Sequence, residues 1–180
     1  MKAINFLYHF NYRLIAIHTL ATFFFLLAAN NLSALYDIGI LEALYKYGSH
    51  DFYKHLELNS NETIGQRFTE FLYVNFAFCF IALVISFFIS LRFSMRNNIF
   101  WMNSLAVFLV SFLIKRFGTL NHRIISYITK VLRSYFVSDA AKYSIIIIGI
   151  GFTIIGLILY FNKWTQRWIL NGKMKISNNK

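Results

Sequence analysis

The sequence predicts an all-α, polytopic membrane protein with four transmembrane helices and one interfacial amphipathic helix. Three observations predict this class: long apolar stretches, few charges, and basic residues that flank the stretches. A helix of about 20 apolar residues crosses a bilayer core about 30 Å thick, and it bonds its own backbone polar groups internally. The predicted spans cover about 14–36, 71–91, 99–117 and 143–161.

The composition excludes an ordinary soluble domain. The 180 residues are 58% hydrophobic and 19% aromatic, and only 14% are charged, whereas soluble domains carry about 25% charged residues. This size fits a single membrane domain over residues 1–180. The net charge of +11 does not predict a nucleic-acid partner, because the basic residues flank the apolar stretches, where they would meet lipid headgroups.

The first apolar stretch follows Lys2 and Arg13 and has the order of charges seen in a signal peptide. However, Asn30 stands where a cleavage site after Ala28 and Ala29 needs a small residue. The helix can instead continue to Tyr36, so we predict a retained first span.

The segment 37–70 is predicted to lie outside the membrane, and it contains a candidate metal site. Asp51 and His55 stand four residues apart, a spacing that presents two ligands to one ion on a helix, and His50 is nearby. No further ligand follows at a diagnostic spacing, and Lys54 would repel a cation. A solvated loop helix is the preferred interpretation, and no metal or cofactor is predicted.

The second and third spans are predicted to form an antiparallel hairpin, since the turn at 92–98 is too short for another connection. The third span is the shortest, but Lys115 and Arg116 can extend to the interface, so the helix can run to Phe117. Asn75, Asn103 and Ser104 are uncharged polar residues within these spans. They could line a solute path, although such residues more often form hydrogen bonds between helices.

Residues 119–138 have the pattern of an interfacial amphipathic helix. On a helix, their aliphatic and aromatic side chains occupy one half of the circumference, opposite Arg123, Lys130 and Arg133. These cations are candidate contacts for anionic lipid headgroups or an acidic partner. A connector that rests on headgroups is the simpler interpretation.

The fourth span places Gly149, Thr153 and Gly156 on one face, where another helix backbone can approach closely, in this chain or in a partner. Trp164 and Trp168 follow the span, and the helix is expected to continue along the interface to about Leu170. With four spans, both tryptophans share one membrane face with Trp101, where indole rings act as interfacial anchors.

The orientation is not decided by basic residues, because the 18 Lys and Arg residues divide equally between the two sides. The acidic residues of segment 37–70 and the basic tail after the fourth span favour cytoplasmic termini. A plasma membrane or bacterial inner membrane is expected, and an organellar inner membrane fits the same pattern.

The function is predicted mainly from missing chemistry, because no G-x-S-x-G motif, P-loop or CxxC pair occurs. His18 is the only ionisable residue well inside a span, and it could act in a proton relay or as a haem ligand. The other spans lack a second histidine, so an interhelical hydrogen bond is preferred. We predict a non-catalytic accessory or structural subunit of a larger membrane protein assembly, in contact with anionic lipids and other subunits. The alternatives are a small transporter or channel that uses Asn75, Asn103 and Ser104, and a membrane enzyme acting on lipid or a lipid-linked substrate.

Overall fold

The computed structural model describes residues 10–40, 43, 47, 51–56, 63–117 and 141–177. Within these ranges the chain is helical and contains no β-strand. The predicted amphipathic helix 119–138 lies outside the described residues, as do Arg123, Lys130, Arg133 and His50. The long helices are α1 (Tyr12–Leu32), α2 (Ile64–Arg96), α3 (Met102–Phe117), α4 (Ala141–Phe161) and α5 (Lys163–Ser177), with 3₁₀ turns at Ser33–Tyr36 and Phe52–His55.

Two helical segments are long and apolar enough to cross a membrane, Tyr12–Tyr36 and Ile64–Arg96. A third candidate arises if Ile145–Phe161 and Lys163–Asn171, bent by 44° at their break, form one span. The apolar part of α3, Met102–Lys115, is shorter and rises by only about 21 Å, less than a bilayer core of about 30 Å. The structure thus contains two or three candidate spans where the sequence predicted four, and it is compatible with a membrane protein.

α2 is longer than the predicted span 71–91 at both ends. It begins after Thr63, whose hydroxyl oxygen accepts from Gln66 N at 3.2 Å, while Gln66 Oε1 accepts from Thr63 N at 3.1 Å. This capping box supplies partners for backbone N–H groups that a helix start leaves unpaired. α2 ends at Arg96, so most of the predicted turn 92–98 is helical.

The connection from α2 to α3 is a tight turn that closes the C-terminus of α2. Ile99 N donates to Ser94 O at 2.8 Å and Asn98 N donates to Met95 O at 3.3 Å. This bond pair is typical of a helix end that is followed by a left-handed residue. Asn98 is that residue, with a φ of 49°, and asparagine adopts this conformation more readily than most residues with a side chain. The chain reverses direction here, as the predicted antiparallel hairpin requires.

α1 is the central helix and contacts α2, α3, α4 and α5. It runs antiparallel to α2, because Asn30 near its end bonds Asn75, and His18 near its start bonds Ser90. α4 is also antiparallel to α1, because Gly149 lies against Leu32 near the end of α1, whereas Gly156 lies against Phe25 and Ala21, nearer its start. α1 to α4 therefore alternate in direction, and α2, α3 and α4 all pack on α1; this arrangement is called the bundle below.

The bundle has two ends, which we define by their residues. The loop end comprises 33–40 and 63–70, and the terminal end comprises 10–13, 92–102 and 162–171. At the loop end, Arg67 Nη2 donates to Asp37 Oδ1 at 2.8 Å, and Arg67 Nε donates to Asp37 Oδ2. The Arg67 guanidinium beside Asp37 holds the pKa of that carboxyl below its usual range. This bidentate pair ties the segment after α1 to the first turn of α2.

Candidate functional site

His18 lies at the centre of a buried polar network that joins three helices. Its side chain is 1% exposed. The predicted interhelical hydrogen bond is present, with His18 Nδ1 2.9 Å from Ser90 Oγ. The imidazole ring lies edge-on to Phe93 of α2, at a centroid distance of 5.2 Å, and to Tyr160 of α4, at 4.8 Å. The α1 histidine is therefore enclosed by α2 and α4.

Three serines of α2 form a ladder along the face that points into the bundle. Ser86, Ser90 and Ser94 follow one another at four-residue spacing, and all three are buried. Ser104 of α3 meets this ladder, with its Oγ 3.3 Å from Ser90 Oγ and 3.0 Å from Ser94 Oγ. A hydroxyl has one proton, so a Ser90 that donates to Ser104 accepts from His18, which then carries a proton on Nδ1.

Tyr160 completes the network from the side of α4. Its hydroxyl lies 2.8 Å from Thr22 Oγ1 and 3.3 Å from the carbonyl oxygen of His18. Thr22 Oγ1 also donates to the same carbonyl at 2.7 Å. The Tyr160 hydroxyl also lies 3.5 Å from Ser86 O of α2. One phenol thus connects α4 to both α1 and α2.

A second group of polar contacts joins α1, α3 and α5 at the terminal end. The side-chain oxygen of Asn103 accepts from Asn11 N at 2.7 Å, and Asn103 Nδ2 donates to Phe100 O at 2.6 Å. Asn11 Nδ2 donates to Ile169 O of α5 at 3.1 Å. Asn11 Oδ1 accepts from Leu14 N at 3.1 Å and so caps the start of α1.

A third polar contact lies toward the loop end and is separated from the network by an apolar layer. Asn75 Nδ2 donates to Asn30 Oδ1 at 3.1 Å and to Ser33 Oγ at 2.7 Å. The apolar layer, between this contact and His18, consists of Leu26, Ala29, Cys79 and Leu83, with Ala82 and Phe108 packed against it. Polar contacts on both sides of this apolar layer fix the register between α1 and α2.

The candidate solute-path residues Asn75, Asn103 and Ser104 all make hydrogen bonds between helices. The hydroxyl contacts of Ser90 and Ser94 with Ser104 leave no space for a solute between α2 and α3 at that level. Within the described ranges, the buried hydroxyls that lack a hydrogen-bond partner are those of Thr19, Ser86 and Ser111. They lie on three different helices and carry no charge.

The candidate metal residues of the segment after α1 have other partners. Asp51 forms an ion pair with Lys54 at 2.8 Å, and the His55 ring stacks on Tyr47 at a centroid distance of 3.7 Å. The predicted i, i+4 geometry does not form, because Phe52–His55 is a 3₁₀ turn. In the part of the chain that the structure describes, no group of three or more His, Cys, Asp and Glu residues could hold a metal ion.

The small residues of α4 face α1 within the same chain. A Cβ atom added at Gly149 would lie 2.6 Å from Leu32 Cδ2, and one added at Gly156 would lie 2.6 Å from Phe25 Cδ1. Thr153 donates its hydroxyl proton to Gly149 O of its own helix at 2.9 Å. The two glycines are therefore occupied by an internal helix contact rather than offered to another chain.

The three predicted anchors Trp101, Trp164 and Trp168 all lie at the terminal end, and all are exposed. The helix after α4 extends beyond the predicted Leu170, as α5, after a break at Asn162. Arg13 holds α5 against the start of α1. Its Nη1 donates to Trp168 O at 3.0 Å, and its guanidinium carbon lies 4.7 Å from the centre of the Trp168 ring.

Sequence reasoning missed Ser90, Ser94, Thr22 and Tyr160. The four-residue spacing of serines in an apolar stretch was the available signal for α2, whereas Thr22 and Tyr160 gave none. No family model, curated protein or solved structure matches this chain.

Proposed function

We propose that this chain is a non-catalytic accessory or structural subunit of a larger membrane protein assembly. The observation that carries the proposal is how the buried polar side chains are used. His18, Ser90, Ser104 and Tyr160 bond one another or the backbone across helices. Such contacts stabilise a bundle in which lipid supplies no hydrophobic driving force between helices. The interior is thus devoted to packing, and the outer faces remain for recognition.

The outer face of α2 is the strongest candidate for contact with another subunit. Only 22% of the apolar window in Ile64–Arg96 is buried, against 50% in Tyr12–Tyr36. Phe76 and Phe80 stack on this face at a centroid distance of 6.3 Å. Large aromatic groups give much contact area with few rotatable bonds, which favours a protein partner over disordered acyl chains. The exposed side chains are Leu72, Tyr73, Phe76, Phe80, Ile81, Ile85 and Phe88.

The test of this proposal is isolation of the intact chain in a mild detergent. We expect a complex of fixed stoichiometry that exceeds the 21.2 kDa chain, measured by size-exclusion chromatography and mass spectrometry. Phe76→Ala combined with Phe80→Ala should release the partner subunit from the complex, because the double substitution removes the stacked pair and leaves the interior unchanged. The matched control, Ile154→Ala with Ile158→Ala, truncates two exposed residues of α4. This variant should keep the partner subunit. A bare monomer from every preparation would contradict the proposal.

We also propose that all four bundle helices cross the membrane, with both termini in the cytoplasm of a plasma or bacterial inner membrane. α3 is short, but it packs in the bundle beside α1 and α2, and Lys115 can extend to headgroups while the bilayer thins locally. The terminal end carries Arg13, Arg92, Arg96, Lys163 and Arg167. Cytoplasmic segments are enriched in such residues, which supports this orientation.

Single-cysteine labelling in a Cys79→Ser background tests the number of crossings. Four exposed positions lie before and after α2, α3 and α4 and report on those three crossings: Lys54, Arg96, Lys142 and Lys163. An impermeant thiol reagent added outside should label Lys54→Cys and Lys142→Cys but not Arg96→Cys or Lys163→Cys. Permeabilised cells control for reactivity at each position. If Lys142→Cys is protected together with Arg96→Cys, α3 does not cross.

Transport through the bundle is the alternative that the contacts disfavour. A solute path between α2 and α3 would have to separate Ser90 and Ser94 from Ser104, and these hydroxyls are in direct contact. The alternative of a membrane enzyme would need a cluster of reactive groups at one end, and the described terminal end contains no Asp, Glu, His or Cys.

A further inference from the structure

We propose that the outer face of the last turns of α2 binds the phosphate headgroup of an anionic phospholipid. A groove of about 510 Å³ lies on this face and is lined by Phe88, Leu91, Arg92, Met95 and Arg96. The site is separate from the His18 network, because Ser90 and Ser94 of the same turns point into the bundle. It adjoins the face proposed for subunit contact and shares Phe88 with it, but neither proposal rests on the other.

Charge supports the assignment. Arg92 and Arg96 are exposed and one helical turn apart, so both guanidinium groups can reach one phosphate. Neither has a hydrogen-bond or ion-pair partner among the residues that the structure describes, whereas Arg67 pairs with Asp37 and Arg13 bonds the Trp168 carbonyl. The terminal end, at 10–13, 92–102 and 162–171, contains no Asp or Glu that could neutralise them.

The depth of the site matches the position of lipid phosphates. The uncharged part of α2, residues 71–91, rises by about 31 Å, close to the thickness of a bilayer core. Arg92 is the next residue, so its guanidinium falls at the boundary between acyl chains and headgroups. An anion at this boundary meets two cations at once.

The apolar half of the groove decides between a lipid and another anionic ligand. Phe88 is 60% exposed and with Leu91 continues the groove toward the hydrocarbon side, whereas Met95 lies between the two arginines along α2. A ligand that fills both halves must carry a phosphate directly above an acyl chain. A phospholipid with a net negative headgroup has this chemistry. A zwitterionic headgroup would instead place its own ammonium group beside the two arginines, which would repel it.

The experiment measures lipid binding to the intact chain in neutral detergent micelles. We compare phosphatidylglycerol, phosphatidylcholine with the same acyl chains, and inorganic phosphate, by titration and by the midpoint of thermal unfolding. The wild type should bind phosphatidylglycerol and be stabilised by it, and the other two additives should have little effect. Each basic group at an anionic surface changes affinity by about fivefold, so Arg92→Gln with Arg96→Gln should weaken binding about thirtyfold.

The matched control is Lys163→Gln with Arg167→Gln, which removes the same charge from exposed positions of the same end and should leave affinity within about twofold of the wild type. Arg96→Gln alone, with an expected loss of about fivefold, keeps the test valid if the double variant folds poorly. Equal losses in the two double variants would overturn the site in favour of diffuse charge attraction. Equal stabilisation by inorganic phosphate would overturn the lipid, since an acyl chain would then add nothing.

Discussion

Gly156→Leu is expected to destabilise the folded bundle by about 3 kcal/mol or more, the upper range for overpacking a filled site. A Cβ at this position would lie 2.6 Å from both Phe25 Cδ1 and Phe25 Cε1 and 3.2 Å from Ala21 O. Phe25 cannot move aside freely, because it is buried and packs on Tyr160 at a centroid distance of 5.6 Å. The backbone oxygen cannot yield without shifting α1, so α1 and α4 must separate.

Gly151→Leu is the matched control for that substitution. No atom of the surroundings lies within 4 Å of a Cβ built at Gly151, and both variants gain the same helix propensity, about 0.8 kcal/mol. The thermal unfolding midpoint in detergent should therefore fall for Gly156→Leu and stay level or rise for Gly151→Leu. Equal midpoints would show that α4 does not pack on α1 through Gly156.

His18→Ala is expected to cost about 3 kcal/mol, the lower end of the range for larger buried rings truncated to alanine. The substitution empties the space between Phe93 and Tyr160 and removes the partner of Ser90. Leu20→Ala truncates a large side chain on the exposed face of the same helix, and its unfolding midpoint should change far less. A midpoint for His18→Ala that matches Leu20→Ala would mean that the ring is not enclosed.

A double-mutant cycle with Ser90→Ala separates the contribution of the His18–Ser90 hydrogen bond from the rest of the loss in unfolding free energy. Hydrogen bonds between membrane helices contribute about 0.6–1.7 kcal/mol, so the coupling between the two substitutions should be about 1 kcal/mol. His18→Gln keeps an N–H donor and should recover part of the coupling. Additive effects of His18→Ala and Ser90→Ala would contradict the bond while leaving the packing effect intact.

The sequence predicted where the apolar helices lie, because hydrophobicity alone marks their central residues. It predicted the first and last residues of each helix less well. The apolar run 71–91 marks the middle of α2, but its start depends on the capping box at Thr63 and its end on the left-handed Asn98. Both are local backbone features that a hydropathy pattern does not contain. For α3, the pattern ended at charged residues, and the structure shows how short its apolar part is.

The candidate site was predictable in kind but not in its partners. An intramembrane histidine needs a hydrogen bond, yet Ser90 is 72 residues away in the chain, and only the packing of α1 on α2 brings them together. Serine is weakly polar on hydropathy scales, so the ladder on α2 was hidden in an apolar run. The glycines of α4 predicted a close helix contact, and nothing in their spacing could say that α1 makes it.

The central position of α1 has a consequence for how the chain is made. α1 emerges from the ribosome first among the bundle helices, but the Tyr160 hydroxyl that meets Thr22 belongs to α4 and follows 138 residues later. In the proposed arrangement with four crossings, α1 therefore enters the bilayer before the partners of His18 on other helices, while the Thr22 hydroxyl can bond the His18 carbonyl within α1 itself. It gains Ser90 when α2 arrives and Tyr160 only at the last insertion. The contacts that enclose His18 are therefore complete only once the last helix of the bundle has joined α1.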